Sequence, residues 1–366
     1  MTHSARRIQA AAIGLSALVL APRTSQAAAF YGVGRLPGGG IPYSEVRDVA
    51  AAGPTAVGYS ITSKDTSGAF SWTPSGGIVA VGPFDPNAYL PGARGVSADG
   101  TVIVGEVPTD FFSSLRAFVW NPVRGVQIIG NFPGGAGDSA ALDVSSDGRV
   151  VVGYGNALAL EHPVAEAFLW TPRDGFRRLG DLPGGDAYSV AHAVSADGTV
   201  VAGGSSGSSG LRAFRWTAVD GMTSLGTLSG TEGISEAYGI SADGLTIVGA
   251  STSTSREAFR WTAAGGVTGL GDLPGGGAGS AAHAVSGDGT RIVGTSLGPS
   301  GSEAFLWEAA SGMRPLAEVL ALDYGIDLTG WTLTSARAIS ADGLVIGGDG
   351  FNPAGEAEGW VAVLAP

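Results

Sequence analysis

The stretch Ala191–Gly204, AHAVSADGTVVAGG, decides the fold because it is one copy of a repeat. Related stretches begin at Ala93, Ala141, Ala237, Ala282 and Ala336, and a more divergent copy, VRDVAAAGPTAVGY, begins at Val46. A single copy, with a histidine, a serine and an aspartate close together, would resemble a catalytic loop. Seven copies indicate an array of structural units instead.

Each repeat contains four short segments that are typical of β-strands. They are represented by AHAVS (segment A), TVVAGG (segment B), EAFRWT (segment C) and GVTGLGDLPGG (segment D), and each ends at glycine, proline or polar residues. The Asp-Gly pair between segments A and B predicts a tight hairpin, because aspartate hydrogen-bonds within its own turn and glycine adopts a positive φ. The sequence therefore predicts an all-β array.

Segment C contains the most regular marker of the array. Tryptophan recurs in it at positions Trp72, Trp120, Trp170, Trp216, Trp261, Trp307 and Trp360. A period in the forties with four strands per unit is typical of a β-propeller, in which each repeat forms one blade. Phenylalanine lies two residues earlier in six copies. Both rings would share one face of the strand and fill the gap between neighbouring sheets.

The two ends of the chain predict how the propeller closes. Segment D is missing after Trp360, but the stretch Phe30–Gly40, FYGVGRLPGGG, matches it. An N-terminal strand would then complete the last blade, whereas an open solenoid would more often have atypical caps at both ends. We therefore predict a seven-bladed β-propeller of four-stranded repeats, about 48 residues each.

The N-terminal residues and the composition predict an exported protein. Arg6 and Arg7 precede an apolar run that ends in Ala27-x-Ala29, so residues 1–29 are predicted to be a signal peptide and 30–366 a single propeller domain. No further apolar segment suggests a membrane anchor. The chain has no cysteine, and its net charge of −12 argues against nucleic acid as a partner. We expect a secreted or periplasmic monomer.

The motifs AHAVSADG, EAFRWT and LGDLPGG, in this order, resemble the HAF repeat family of predicted extracellular bacterial proteins. The resemblance extends over nearly all of residues 30–366. It implies an extracellular repeat protein with a propeller-like fold. It brings no catalytic residues with it, because the family is defined by its repeat.

Two motifs that could carry chemistry are better explained as structure. The turn aspartates are Asp99, Asp147, Asp197, Asp243, Asp288 and Asp342. Each turn offers one carboxylate, whereas a calcium site needs several converging oxygen ligands, so these residues are predicted to stabilise turns. Gly203–Gly207, GGSSG, fits the nucleophile pattern Gly-x-Ser-x-Gly, but no helix follows, and a loop is predicted. We predict no catalytic residue, metal or cofactor.

One register of segment A is the predicted ligand site. The residue six positions before each turn glycine is, in chain order, Arg47, Arg94, Leu142, His192, Tyr238, His283 and Arg337. If segment A lies innermost, these seven residues, named the axial ring here, surround the channel. We predict that all except Leu142 bind a ligand with hydroxyl or carboxylate groups. The alternative is that they form salt bridges to acidic residues of segment C, namely Glu166, Glu257, Glu303 and Glu356.

The regular blades favour a non-enzymatic binding module for an extracellular glycan or protein, because an active site usually disrupts one or two repeats. The alternative is a polysaccharide-active hydrolase or lyase with its site at the channel mouth, and a purely structural role is the third hypothesis. Two irregular stretches could bind a protein partner. One is a loop with Phe111 and Phe112, and the other is an insert before the last repeat that predicts a short helix around LAEVLALD.

Overall fold

The computed structural model describes residues 27–38, 41–51, 53–63, 66–84, 91–108, 114–133, 135, 137–157, 164–230, 233–252 and 254–365. Within this part of the chain, the strands form seven four-stranded antiparallel sheets. Strand β1 (Ala29–Gly32) belongs to the last sheet. The first blade contains β2 (Ser44–Val49), β3 (Ala56–Ser63), β4 (Thr66–Thr73) and β5 (Gly77–Ala80). The second contains β6 (Gly92–Val96), β7 (Ile103–Pro108), β8 (Leu115–Asn121) and β9 (Gly125–Gly130).

The remaining blades repeat this arrangement. Blade three contains β10 (Ser139–Val144), β11 (Val151–Ala157), β12 (Val164–Thr171) and β13 (Gly175–Arg178). Blade four contains β14 (Gly184–Val194), β15 (Val200–Gly207), β16 (Gly210–Thr217) and β17 (Gly221–Gly226). Blade five contains β18 (Ile234–Ile240), β19 (Thr246–Thr252), β20 (Arg256–Thr262) and β21 (Gly266–Gly271). Blade six contains β22 (Ser280–Val285), β23 (Arg291–Gly298), β24 (Gly301–Glu308) and β25 (Gly312–Pro315).

The last blade is completed by the N-terminal strand. Helix α1 (Leu316–Leu322) precedes β26 (Thr332–Ile339), β27 (Val345–Phe351) and β28 (Ala357–Val363). Strand β1 pairs with β28, from Ala29 opposite Val363 to Gly32 opposite Trp360. The predicted closure and the seven-bladed fold are thus confirmed. The signal-peptide prediction stays a prediction, because residues 1–26 lie outside the described part and β1 begins at Ala29.

The first strand of each blade is the innermost one, since these strands contact one another around the axis. The Asp-Gly turns connect them to the second strands and also join the blades. In blades two to six, the residue before each turn aspartate donates its N–H to the carbonyl at the same position in the next blade, as Ala98 does to Ser146 at 3.1 Å. The residues at this turn position are small, because the turns of neighbouring blades lie close together. A Cβ on Gly287 would lie 2.8 Å from the Ala341 carbonyl oxygen.

The turn aspartates have the structural role predicted for them. Asp197 Oδ1 accepts hydrogen bonds from the Ser195 hydroxyl at 2.7 Å and from the Thr199 N–H at 3.0 Å. The Ser195 hydroxyl, and then the N–H of Thr199, lower the pKa of Asp197. Gly198 adopts a φ of 75°, which a residue with a side chain rarely does. The carboxylate is therefore used inside its own turn.

The aromatic residues of the third strands fill the space between blades, as predicted. Phe70, Phe118, Phe168, Phe214, Phe259 and Phe305 are fully buried. Phe214 and Trp216 of blade four, for example, pack in one cluster with Val152 and Ala167 of blade three. Burying such side chains removes large apolar areas from water and so holds adjacent blades together.

Two local predictions have different outcomes. The predicted helix in the insert is confirmed as α1, and Trp331 after it contacts Phe30 edge-on at 5.1 Å between ring centroids. The predicted loop at Gly203–Gly207 is wrong, because these residues end β15. Ser205 is buried there and its hydroxyl oxygen accepts the Leu182 N–H at 3.0 Å, so the strand continues. Phe111 and Phe112 lie outside the described residues.

Every innermost strand contains a β-bulge at the axial ring position. The register shifts between the residues on either side of Arg47, Arg94, Leu142, His192, Tyr238, His283 and Arg337, which leaves each of these seven without a paired residue on the second strand. A bulge bends its strand and re-aims the extra side chain. The bulges therefore turn this register towards the axis.

A glycine on each second strand makes room for the bulge. A Cβ at any of these glycines would lie 1.9 to 2.0 Å from a carbonyl oxygen of the innermost strand. The glycines are Gly58, Gly105, Gly153, Gly203, Gly249, Gly294 and Gly348. At Gly203 it would also lie 2.9 Å from Cε1 of Phe214. The recurring glycine of segment B is thus required by close backbone approach and not by flexibility.

No helix among the described residues is long and apolar enough to cross a membrane.

We expect Gly203→Ala to lower the free energy of unfolding by about 1–3 kcal/mol, the usual cost of overpacking. The added methyl group would force the Val190 carbonyl and the bulge to move. Gly53→Ala is the control, because a Cβ there meets nothing within 4 Å. Urea denaturation of both variants measures the difference. Equal stability of the two variants would contradict the role given to this glycine.

Candidate functional site

The axial ring encloses one end of a narrow cavity on the propeller axis. This cavity has a volume of about 210 Å³ and is lined by all seven ring residues. The structure therefore brings the six predicted ligand-binding residues, Arg47, Arg94, His192, Tyr238, His283 and Arg337, to one place. That they bind a ligand stays a prediction.

The ring arginines are paired with carboxylates on the first and second strands. Arg94 Nε donates to both carboxylate oxygens of Glu106, at 2.8 and 3.0 Å. Arg337 Nε lies 2.5 Å from Asp349 Oδ1 and 2.7 Å from Glu45 Oε1. The latter contact is electrostatic only, because Glu45 Oε1 accepts no hydrogen bond of good geometry. It nevertheless links the last blade to the first.

The predicted alternative partners of the ring on segment C are wrong. Glu166 is paired with Arg178, and Glu356 lies 3.9 Å from Arg35. Glu257 accepts the Gly271 N–H at 3.2 Å. The third strands, which carry Glu303 as well, are separated from the axis by the second strands. Salt bridges to the ring do form, but from residues nearer the axis.

A second group on blades four and five combines a histidine, a carboxylate and a phenol. His192 Nε2 lies 2.9 Å from Glu236 Oε1, and Tyr238 donates its hydroxyl to Glu236 Oε2 at 3.0 Å. Burial opposes ionisation of Glu236, but its hydrogen bonds with His192 and Tyr238 and the charges of His192 and Arg256 together outweigh burial and lower the pKa of Glu236. Burial, together with the negative charge of Glu236, raises the pKa of Tyr238 to about 12. The phenol therefore stays protonated.

His283 is held neutral beside three arginines. Removal from water, and then the positive charges of Arg337, Arg256 and Arg47, lower the pKa of His283 to about 3. Its Nε2 lies 3.2 Å from the Thr295 hydroxyl, which itself donates to Ser335 Oγ at 2.8 Å. The Thr295 oxygen is therefore an acceptor for His283, which places the imidazole proton on Nε2.

Next to the ring, blades five to seven form a larger cavity of about 710 Å³. It opens at the end of the propeller opposite the Asp-Gly turns, because its walls come from the starts of first strands and the ends of second strands. The polar and aromatic side chains in its lining include Arg256, His283, Thr295, Arg337, Asp349 and Phe351. Phe351 ends β27 and is 46% exposed.

The carboxylates and hydroxyls around the ring are not among the residues predicted from the sequence. The sequence does mark these polar residues. The position directly after the recurring glycine of each second strand varies from blade to blade, whereas the positions on either side of it vary less. In chain order these residues are Tyr59, Glu106, Tyr154, Gly204, Ala250, Thr295 and Asp349. A second variable position, two residues before the ring position, carries Glu45 and Glu236. Charged residues at otherwise small positions would have indicated the site.

Two aspartates line the axis directly beside the ring. Asp48 Oδ2 accepts the Val96 N–H of the next blade, and Asp143 Oδ2 accepts the Val194 N–H, each at 2.8 Å. Both aspartates line the 210 Å³ axial cavity. Burial raises the pKa of Asp48 to about 7. Burial, with the nearby charge of Asp48, raises that of Asp143 to about 8.

Comparison with solved structures supports the fold. The oligogalacturonate lyase of Vibrio parahaemolyticus aligns with a TM-score of 0.52 and 9% identity, over 93% of this chain and 98% of that chain. TolB from Acinetobacter baumannii aligns with a TM-score of 0.47 and 12% identity, over 85% of this chain and 80% of that chain. At such low identity the first likeness shows the propeller fold alone, and the second adds no argument to it.

No protein-family model matches the sequence, and a search of curated proteins found no match either. Membership of the HAF repeat family therefore stays a prediction.

The two axial aspartates predict a distinct dependence of stability on pH. Their pKa values are higher in the folded chain than the usual value near 3.9, so the folded state holds protons that the unfolded state releases. Their contribution is fully present below about pH 4 and is lost as pH rises to about 8. His283 has the opposite effect, but only below its usual pKa of about 6.5.

We therefore expect the free energy of unfolding to fall between pH 6.5 and 8 and then to level off. In the double variant Asp48→Asn, Asp143→Asn this fall should disappear, because asparagine does not titrate. Urea denaturation across the pH series measures the slope. An unchanged slope in the variant would show that other groups cause the fall.

Proposed function

We propose that this chain is an exported, non-enzymatic binding module that holds a glycan in the 710 Å³ cavity beside the axial ring. The observation that supports the proposal best is the composition of the lining, which combines an exposed aromatic ring with groups that recognise hydroxyls. The volume lies within the range of about 300–1,000 Å³ that is typical of ligand sites.

The polar groups suit a ligand with many hydroxyls. Asp349 offers carboxylate oxygens as acceptors, and Arg337 beside it offers N–H donors in a planar fork. Thr295 and Ser335 are already hydrogen-bonded to each other, and His283 to Thr295, so these side chains are fixed before a ligand arrives. Pre-organised groups of this kind reduce the entropic cost of binding.

Phe351 supplies an apolar surface at the rim. It is the last residue of β27, and nearly half of its surface is exposed. The C–H face of a sugar ring could pack flat on this aromatic ring while its hydroxyls reach Asp349 and Arg337. A protein partner would need a larger continuous surface than one cavity offers.

Binding is favoured over the alternative, a polysaccharide-active hydrolase or lyase. A hydrolase that uses two carboxyl groups needs them about 5 to 10 Å apart, on either side of the bond that breaks. Among the described residues that line the cavity, Asp349 is the only carboxylate, and Arg337 occupies it. The export part of the proposal is supported by the Arg6-Arg7 pair and the apolar run that follows.

We expect residues 30–366 to bind members of a glycan library, and Phe351→Ala to weaken that binding about five- to tenfold, as loss of one aromatic contact does. Val219→Ala is the matched control, because Val219 is 93% exposed and lies in the turn between β16 and β17, at the other end of the propeller. Titration calorimetry with each glycan found in the library measures the affinities.

Equal affinity of both variants would place the binding site elsewhere, and silence across the library would refute the proposal. Chromatography of the glycans after incubation tests the alternative, since shorter products would establish an enzyme.

A further inference from the structure

Arg256 is a cation at the cavity, and no carboxylate of the described part of the chain pairs with it. It begins β20, is exposed, and lines the cavity together with Arg337. Its Nη2 donates to the Tyr238 hydroxyl at 3.0 Å. Among the described residues no carboxylate lies within salt-bridge distance of it, and its Nε and Nη1 groups donate no hydrogen bond. These donors are available to a ligand.

Two successive hydrogen bonds, through Tyr238 to Glu236, hold Arg256 in position. Tyr238 donates a hydrogen bond from its hydroxyl to Glu236 at 3.0 Å, and the Tyr238 oxygen accepts a hydrogen bond from Arg256. The guanidinium carbon also lies 5.8 Å from the centre of the Tyr238 ring. Tyr238, which was predicted to touch the ligand itself, thus contacts the guanidinium that pairs with no carboxylate among the described residues.

The charges of the lining are unusual for this protein. The chain carries a net charge of −12, yet the titratable side chains in the cavity are Arg256, Arg337, Asp349 and the neutral His283. Two positive charges against one negative charge leave the lining with a net charge of +1. Among the described residues, no acceptor binds the two terminal nitrogens of Arg337, since its contacts with Asp349 and Glu45 are made through Nε.

We propose that the glycan carries a carboxylate, as in a hexuronic acid, and that the free N–H groups of Arg256, with those of Arg337 nearby, bind it. This inference rests on the proposed function and names its ligand class. A guanidinium presents parallel N–H groups that match the two oxygens of a carboxylate, and such charged hydrogen bonds are stronger than neutral ones. A single negative charge would balance the lining.

The test uses trimers of glucuronic, galacturonic and mannuronic acid, each paired with the same trimer after reduction of its carboxyl groups to alcohols. Titration calorimetry at pH 7 and low salt gives the ratio of the two affinities for each pair. We expect the wild-type protein to bind at least one acid trimer about tenfold or more tightly than its reduced form, the gain that charged hydrogen bonds usually give.

Arg256→Gln should bring this ratio close to one while binding of the reduced trimer persists. Tyr238→Phe should lower the ratio to an intermediate value, since it removes the hydroxyl that positions Arg256. A merely structural role of Tyr238 would weaken both forms equally. Arg173→Gln is the control, because Arg173 is 93% exposed in the turn after β12, away from the cavity, and the ratio should not change. Circular dichroism confirms that each variant is folded.

Equal affinity for acid and reduced trimers, or a ratio that survives in Arg256→Gln, overturns the inference and leaves the proposed function standing. If no acid trimer binds, the inference also falls, and the glycan library decides the proposed function separately: uncharged ligands found there that depend on Phe351 would support it.

Discussion

The contact between a bulged first strand and a glycine on the second strand is the constraint on which the rest of the structure depends. It occurs in every blade and brings a carbonyl oxygen to a place that a Cβ would occupy. Because of it, one side chain per blade leaves the pleat and points to the axis. Seven rigid strands thereby present seven side chains at one level, a regular frame on which individual residues can differ without altering the blades.

Much of the fold follows from local rules that each repeat obeys separately. Three local patterns each predict one structure: the Asp-Gly pair predicts a hairpin, the spacing of Phe214 and Trp216 predicts one buried strand face, and the displaced segment at Phe30 predicts the closing strand. The repetition of the pattern removes most of the ambiguity. The axial ring could be predicted for the same reason, because a fixed distance from a turn fixes the level along a strand.

The surroundings of the ring could not be predicted in this way. Arg337 reaches Asp349 on its own blade and Glu45 on the first blade, which lies 292 residues away in the chain. Such contacts depend on how blades face each other across the axis, which no repeat encodes by itself. The acids of segment C looked equally suitable in the sequence, but they belong to a strand further from the axis. The cavity arises from differences between blades five, six and seven. A repeat pattern describes only what the blades have in common, so it does not predict this cavity.

The strand pairing that closes the propeller also orders the events of folding. Ala29 and Val363 are partners, so the last blade gains its fourth strand only when the first and last described strands pair. Blades one to six are built from consecutive hairpins and can form early, whereas a contact so distant in sequence carries a large loop-closure cost and comes late. Until it forms, β28 presents an unpaired edge with a row of open N–H and C=O groups. A chain released in that state would expose the kind of surface through which β proteins aggregate, and closure is the step that removes it.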